Sequence, residues 1–324
     1  MTTKFQKDAK LYSDDYWGKV KHSYKLFHPW SLRYSDEELL KLDKEIKLYF
    51  ETGVTTRSND ELWDIWYALR GNLHPETDLP INKFFRWSSF VPTNIPLIVG
   101  ISCLPPTPFN QIFFQSLNQS YNFGNNIANA SASNVKSNTE LGISYVAAIT
   151  SAIAGSAGLR SYLQKRNPTS VLGKTLLMAT PYIGLVFASS VNLFFSRSKE
   201  VLSGVPVNHP TTGQPIPDLK SRRAAISAFV DSWLVRITMT IPLIFIPMAA
   251  SKVATKHFKF YQGMAGKLLF DSTVVGITLW GAMVGVISGI SNVGTIRLGQ
   301  LEQPIRNQLK EFGPQTEIKF NKGL

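Results

Sequence analysis

Residues 176–195 read LLMATPYIGLVFASSVNLFF, a run of twenty residues without a charged side chain. A helix rises 1.5 Å per residue, so this run extends for about 30 Å, which is the thickness of the hydrocarbon core of a bilayer. The run therefore predicts a transmembrane helix and indicates a membrane protein.

Two further runs predict helices that pack closely against others. Residues 272–296 are uncharged over 25 positions, and Gly281, Gly285 and Gly289 recur every fourth residue. Small residues at this spacing allow two membrane helices to approach closely. Residues 143–159 are rich in Ala, Ser and Gly, which is typical of a helix inside a bundle.

The last two predicted spans contain prolines. Residues 237–251 give only fifteen uncharged positions, so this span either extends past Arg236 or is interrupted at Pro242 and Pro247. Residues 91–114 are apolar but contain five prolines, which argues against a straight helix. With five spans, we count ten Lys or Arg near the N-terminal side and eight on the other, so the positive-inside rule leaves the orientation open.

Charged residues are scarce and unevenly distributed. They form 17% of the 324 residues, against about 25% in soluble domains. Residues 1–90 carry 14 basic and 14 acidic side chains, whereas residues 91–324 carry 20 and 8, so the net charge of +12 lies entirely in the second part. The 49 residues between Arg86 and Lys136 contain no Asp, Glu, Lys, Arg or His. These counts argue against a uniformly soluble enzyme, a disulfide scaffold and a disordered chain.

The N-terminal region has the pattern of short amphipathic helices. Ser35 with Glu38 and Ser58 with Glu61 form two capping-box patterns, each followed by apolar residues at helical spacing. We therefore predict an all-α fold, a multi-span helical membrane protein with about five transmembrane helices. Its parts are a soluble helical region at 1–90, a membrane bundle at 91–296 and a polar C-terminal tail at 297–324.

An amide-rich segment at residues 111–133, QIFFQSLNQSYNFGNNIANASAS, is the strongest candidate for a binding site. In a helix its amides form one neutral polar stripe, which offers donors and acceptors to both charges of a zwitterion. The alternative is that these amides only join neighbouring helices or face interfacial water. The predicted substrate-binding residues are Gln115, Asn118, Asn122, Asn125 and Asn129.

Other polar and helix-breaking residues give weaker signals. Asp231 and Asp271 lie near predicted span ends, which favours interface anchoring over an ion relay. Pro181, Pro242 and Pro247 are candidates for helix breaks that gate a pathway, with ordinary proline kinks as the alternative.

Motifs for catalysis or cofactor binding are missing from the sequence. Cys103 is the only cysteine, and the five histidines lack metal-ligand spacing. No phosphate-binding glycine motif is present. We therefore predict no enzyme activity, no cofactor, no metal site and no nucleic-acid partner.

Several blocks in a specific order resemble the sideroflexins, a family of mitochondrial inner-membrane proteins. They are YWGKVKH at 16–22, HPETDLPINKFFRWSSFVPTN at 74–94, NQSYNFGNNIANAS at 118–131, VNLFFSRSKEVLSGVPV at 191–207, SRRAA at 221–225 and FNKGL at 320–324. The second block matches the family motif at His74, Pro75, Thr77, Arg86 and Ser88, but Asp78 replaces the usual glycine.

The resemblance implies a multi-span carrier of the mitochondrial inner membrane, with serine as the best-supported substrate class. We therefore expect transport of serine or a related small neutral amino acid, feeding one-carbon metabolism. A non-transporting scaffold or assembly factor of the inner membrane is the alternative. A metal-linked or tricarboxylate solute is disfavoured, because the sequence suggests neither a His/Cys cluster nor an intramembrane arginine. The expected partners are the substrate and the bilayer, and a homo-oligomer or an inner-membrane protein partner is left open.

Overall fold

The computed structural model describes residues 4–6, 11–105, 107–129, 137–291 and 293–322. In these residues the chain forms helices with four short strands. The helices are α1 Tyr16–Leu26, α2 Asp36–Thr52, α3 Asn59–Asn72, α4 Phe90–Ser102, α5 Pro108–Ala128, α6 Asn138–Ile153, α7 Leu159–Lys165, α8 Val171–Ser203, α9 Arg222–His257, α10 Met264–Ser288 and α11 Gln303–Gln308. The strands are β1 Val205–Asn208, β2 Pro215–Ser221, β3 Val293–Arg297 and β4 Glu317–Asn321.

Four helical segments of the described chain are long and apolar enough to cross a membrane: Thr139–Lys165, Val171–Phe195, Arg222–His257 and Met264–Ser288. The first joins α6 and α7 through a π-helical turn at Ala154–Gly158. The prediction of a multi-span helical membrane protein is thus confirmed.

The prediction that residues 91–114 do not form a straight helix is confirmed, and the fifth span counted there is divided between two helices. Helix α4 ends at Ser102, and α5 begins at Pro108 after a sharp turn. Prolines in and beside this turn lack the backbone N–H that a continuing helix needs. Thr107 caps α5 by accepting a hydrogen bond from the Asn110 N–H, and Pro108 occupies the first helical position, where proline is favoured.

The other predicted boundaries also change. Helix α9 runs unbroken for 36 residues through Pro242 and Pro247, so the span at 237–251 gains its length by extending past Arg236. Helix α8 likewise continues through Pro181, and the expectation of helix breaks at these three prolines is corrected. A gating role for them stays a prediction. The span at 272–296 is shifted, because α10 occupies Met264–Ser288 and β3 begins at Val293.

The chain enters and leaves the bundle at one end, which we call the proximal end. It carries the N-terminal region and the strands. The opposite, distal end holds the short α4–α5, α7–α8 and α9–α10 connections. Contacts that fix these directions include Ser23 with Ser288 and Ser251 with Asp271.

In this topology the count of Lys and Arg stays nearly equal, because Lys83 and Arg86 move to the proximal end and eight residues remain at the distal end, so the positive-inside rule still leaves the orientation open. Segments 160–174 and 252–267 at the distal end contain eight basic residues and no Asp or Glu. The eight are Arg160, Lys165, Arg166, Lys174, Lys252, Lys256, Lys259 and Lys267.

A small antiparallel sheet at the proximal end has the strand order β2-β1-β4-β3. Val207 pairs with Phe320, and both lie in an apolar core with Leu301, Ile305 and Ile318. Residues 297–322 therefore fold onto the start of α9 rather than extending as a polar tail. The pairing of β1 with β4 joins segments more than 100 residues apart, whereas the other two pairings join neighbouring segments.

The C-terminal segment also caps α9. The Glu302 carboxylate accepts hydrogen bonds from the Arg223 N–H at 2.9 Å and from the Ser221 hydroxyl at 2.8 Å. The positive end of the helix dipole favours such an anion. Burial raises the pKa of Glu302, but these hydrogen bonds outweigh it, so the pKa lies below the ordinary value.

Both predicted capping boxes form in the N-terminal region, at Ser35 with Glu38 and at Ser58 with Glu61. Trp63 is the centre of an apolar cluster built from α2, α3 and Phe5. Helix α1 packs along α10, where the Ser288 hydroxyl lies 3.0 Å from that of Ser23. The N-terminal region is thus packed directly onto a membrane helix.

Arg86 joins the N-terminal region to α4. Its side chain is completely buried. Its Nε donates to the Ile81 carbonyl at 2.7 Å, and its Nη2 forms an ion pair with Asp36. Close by, the Ser88 hydroxyl donates to Asn72 at 2.9 Å. These contacts fix the direction in which the chain enters the bundle.

We predict that Arg86→Ala lowers the free energy of unfolding by about 2–3 kcal/mol, because it leaves the buried Ile81 carbonyl and the space around it unfilled. Thermal unfolding in lipid nanodiscs measures the effect. Lys83→Ala, at an exposed position in the same segment, is the matched control and should change stability by less than about 0.5 kcal/mol. Equal melting of the two variants would contradict this account.

We also predict that Glu302→Gln costs about 1 kcal/mol at neutral pH. Because the folded-state pKa is lowered, the Glu302 carboxylate stabilises the fold above the ordinary pKa of 4.5, and this contribution is lost as pH falls through the lower folded value. Melting temperatures across pH should therefore show a gap between the natural chain and the variant that narrows below about pH 4.5. A gap that widens on acidification would refute the capping role.

Candidate functional site

Helix α5 presents opposite chemistry on its two faces. Gln111, Gln115, Asn118 and Gln119 on one face are all less than 5% exposed. The other face exposes large apolar side chains and an open depression of about 430 Å³, lined by Phe109, Ile112, Phe113, Ser116, Leu117 and Ser120. In a bilayer the apolar face suits lipid, and the amide face is directed into the protein.

The packing of α5 depends on two glycines. A Cβ added to Gly100 would lie 2.2 Å from the Phe114 ring, and one added to Gly124 would lie 2.5 Å from the Phe85 ring. Such separations are too short for any side chain to fit without movement. The glycines therefore let α4 and the Phe85 segment approach α5 closely, which holds its amide face inward.

Gln115 is the central residue of this face. Its Nε2 donates to the Pro181 carbonyl of α8 at 3.0 Å. Its Oε1 is buried and has no hydrogen-bond partner among the described residues, and a buried acceptor left unpaired costs about 1–3 kcal/mol. Gln115 Oε1 is therefore a buried acceptor whose hydrogen-bonding capacity the described part of the chain leaves unused.

Proline 181 frees a second backbone group one turn away. Because Pro181 has no N–H, the Leu177 carbonyl lacks its usual helical donor. The Thr180 hydroxyl donates to that carbonyl at 2.8 Å, and Arg160 Nη1 donates at 3.3 Å. The proline is thus accommodated without unwinding α8, and a guanidinium is held about 6 Å along the helix from the carbonyl that binds Gln115.

The other predicted amides are distributed along α5 in two groups. Asn118 is buried near Gln115, whereas Asn122, Asn125 and Asn129 are half-buried toward the proximal end. Asn129 Nδ2 donates to the Phe85 carbonyl at 3.0 Å and to Asn125 Oδ1 at 3.1 Å. The structure thus brings Gln115 and Asn118 together, while Asn129 joins structural segments. Residues 130–133 of the amide-rich segment lie outside the described residues.

Some polar residues of the bundle were missed in the sequence. Gln119 is buried on the amide face, although it lies off the stripe counted from Gln111. Arg160 and Arg236 lie inside membrane-capable helices, which corrects the expectation of no intramembrane arginine. Arg236 Nη1 reaches the Ser189 hydroxyl at 3.5 Å. Arg160 was missed because the predicted helix ended at residue 159, whereas the helical segment continues to Lys165.

The family-motif residues do not belong to the amide face of α5. His74, Pro75 and Thr77 lie in a turn, and Arg86 and Ser88 connect the N-terminal region to α4. The Asp78 N–H donates to the His74 carbonyl at 2.9 Å, and Asp78 has a φ of 53°. This left-handed conformation favours glycine, which accounts for the usual glycine at this place in the family motif. Pro75 and Thr77 lie within the same turn, and Arg86 and Ser88 make the buried contacts described above.

Comparison with known proteins gives a consistent assignment. A family model described as Sideroflexins matches residues 8–324. Sideroflexin FSF1 of Saccharomyces cerevisiae is 25% identical over 311 residues, covering 95% of this chain and 94% of the relative. Sideroflexin-3 of Homo sapiens is 28% identical over 313 residues, with coverage of 95% and 94%. No solved structure matches the chain.

Proposed function

This chain belongs to the sideroflexin family, and on that premise we propose that it transports serine or a related small neutral amino acid across the mitochondrial inner membrane. The proposal is carried by two side chains that bind carbonyls of α8 four residues apart. One is Gln115, whose buried Oε1 has no hydrogen-bond partner among the described residues, and the other is Arg160, whose guanidinium is a donor.

The chemistry of this pairing suits a zwitterion. An amide oxygen accepts hydrogen bonds from an ammonium group, and a guanidinium donates to a carboxylate. Gln115 and Arg160 are held by carbonyls four residues apart in α8, about 6 Å along the helix axis. That spacing, together with the reach of both side chains, supports binding of the two charged groups of one α-amino acid. Asn118 and Thr180 supply neutral polar groups for a short side chain such as that of serine.

The alternative is a scaffold or assembly factor without transport. A scaffold requires no buried acceptor without a partner, and such a group is costly to retain. This argument favours transport. For a scaffold, the N-terminal helical region and the C-terminal segment would instead be the working surfaces.

The decisive experiment is uptake by the purified full chain in proteoliposomes. Gln115→Leu and Arg160→Gln should each reduce serine uptake about tenfold or more, because each removes a hydrogen bond to a charged group worth roughly 1.5–3 kcal/mol. Asn126→Leu removes an exposed amide of the same helix, which lies away from Gln115 and donates to Asn192 Oδ1 at 3.0 Å. It serves as the matched control for losing an amide contact to α8, with uptake close to that of the natural chain. Thermal unfolding confirms that all three variants are folded.

A panel of solutes separates the candidate functions. N-acetylserine lacks the ammonium and serine methyl ester lacks the carboxylate, so neither should compete with serine, whereas alanine and glycine should. Competition by citrate alone would favour the tricarboxylate alternative, and uptake of none of these solutes would favour the scaffold.

A further inference from the structure

Asp271 is a buried carboxyl group inside a membrane helix. It lies seven residues after the start of α10, about 10 Å from the distal end, and is 2% exposed. Acidic residues at this depth are costly and are commonly functional. The structure therefore shows Asp271 buried within the protein near the distal end of α10, and interface anchoring stays the alternative prediction.

The two oxygens of Asp271 have different surroundings. Oδ1 accepts a hydrogen bond from the Tyr261 hydroxyl at 3.1 Å and lies 3.3 Å from the Ser251 hydroxyl. Oδ2 is buried and has no hydrogen-bond partner in the part of the chain that the structure describes. Within the described part of the chain, no Lys or Arg nitrogen lies within the 4.0 Å that defines an ion pair with it. A carboxylate in this position leaves one charged oxygen unpaired in an apolar region, which is strongly unfavourable.

A bound cation removes that cost, and a proton fits the site best. A metal ion requires several oxygen ligands arranged around it, and the described residues contain no group of three or more His, Cys, Asp or Glu side chains suited to a metal. A proton needs only Oδ2. The Tyr261 and Ser251 hydroxyls still donate hydrogen bonds to Oδ1 when Oδ2 is protonated.

The site lies beneath the α9–α10 connection. Tyr261 belongs to the short 3-10 helix Lys259–Gln262 and covers Asp271 from the distal side. The titratable and charged groups on the surrounding elements are Tyr261, Cys103 at the end of α4, Lys267 one turn earlier in α10, and Lys252, Lys256, His257 and Lys259. This connection therefore lies between the carboxyl and the distal end of the bundle.

We propose that Asp271 binds the proton that couples transport. The O–H bond forms at Oδ2 when the carboxylate takes a proton from a hydronium ion at the distal end, which leaves water. It breaks when a conformational change exposes the carboxyl to water on the other side, which accepts the proton as hydronium, and the step involves no oxidation or reduction. This inference rests on the proposed transport function, so its test includes a measurement that does not depend on transport.

That measurement is infrared spectroscopy of the purified full chain during a pH titration. The natural chain should show a C=O stretch of a protonated carboxyl group that is absent from Asp271→Asn. Asp231→Asn is the matched control, because Asp231 lies nine residues into α9, is partly exposed and forms an ion pair with Lys322 at 2.7 Å. A band that persists unchanged in Asp271→Asn would overturn the proposal.

Transport supplies the second measurement. Asp271→Asn mimics the proton-loaded carboxyl, so an imposed proton gradient should drive net serine uptake about tenfold less well than in the natural chain. Serine exchange without a gradient should become independent of pH in this variant. Undiminished gradient-driven uptake would refute proton coupling at Asp271. If the natural chain exchanges no amino acid, the proposed function fails, whereas the infrared result still decides whether Asp271 binds a proton.

Discussion

The structure depends on one constraint: inside a bilayer, every polar group must find its partner within the protein. This constraint explains why the amide face of α5 is directed inward and its Phe and Leu side chains outward. It also explains how α8 tolerates Pro181, since Thr180 and Arg160 donate to the carbonyl that the proline leaves without a partner. The same requirement is met at the proximal end of α9, where Glu302 caps the helix.

Against this background, Gln115 Oε1 and Asp271 Oδ2 are informative exceptions. Both are buried oxygens that, like the Tyr121 hydroxyl and Trp280 Nε1, have no hydrogen-bond partner among the described residues. They lie in different parts of the bundle, one between α5 and α8 and the other beneath the α9–α10 connection. A polar atom retained at such a cost is expected where a ligand completes it. In the proposed mechanism, Gln115 Oε1 accepts a hydrogen bond from the substrate and Asp271 Oδ2 binds the coupled proton.

The elements readable from sequence were those determined by local patterns. Hydrophobic length indicated the membrane helices, the Ser35 and Ser58 patterns gave two helix starts, and the spacing from Gln111 to Asn129 placed the amides on one face. The strands could not be predicted from the sequence, because they depend on contacts between segments that are distant in the chain. The strand at Glu317–Asn321 is five residues long and is stabilised by partners near residues 207 and 295. The importance of Arg160 and Asp271 follows from where their helices begin and end, which charge-free runs place only approximately.

The central claim is that the buried amide face of α5 lines a route for the substrate. Cysteine accessibility tests it most directly, with single cysteines placed at Asn118, Asn122 or Leu117 in a chain carrying Cys103→Ser. A water-soluble thiol reagent should label the first two positions, and serine should slow that labelling. Leu117, on the exposed apolar face, should remain unlabelled in the membrane. Labelling at Leu117 alone, or no effect of serine at Asn118 and Asn122, would contradict the account.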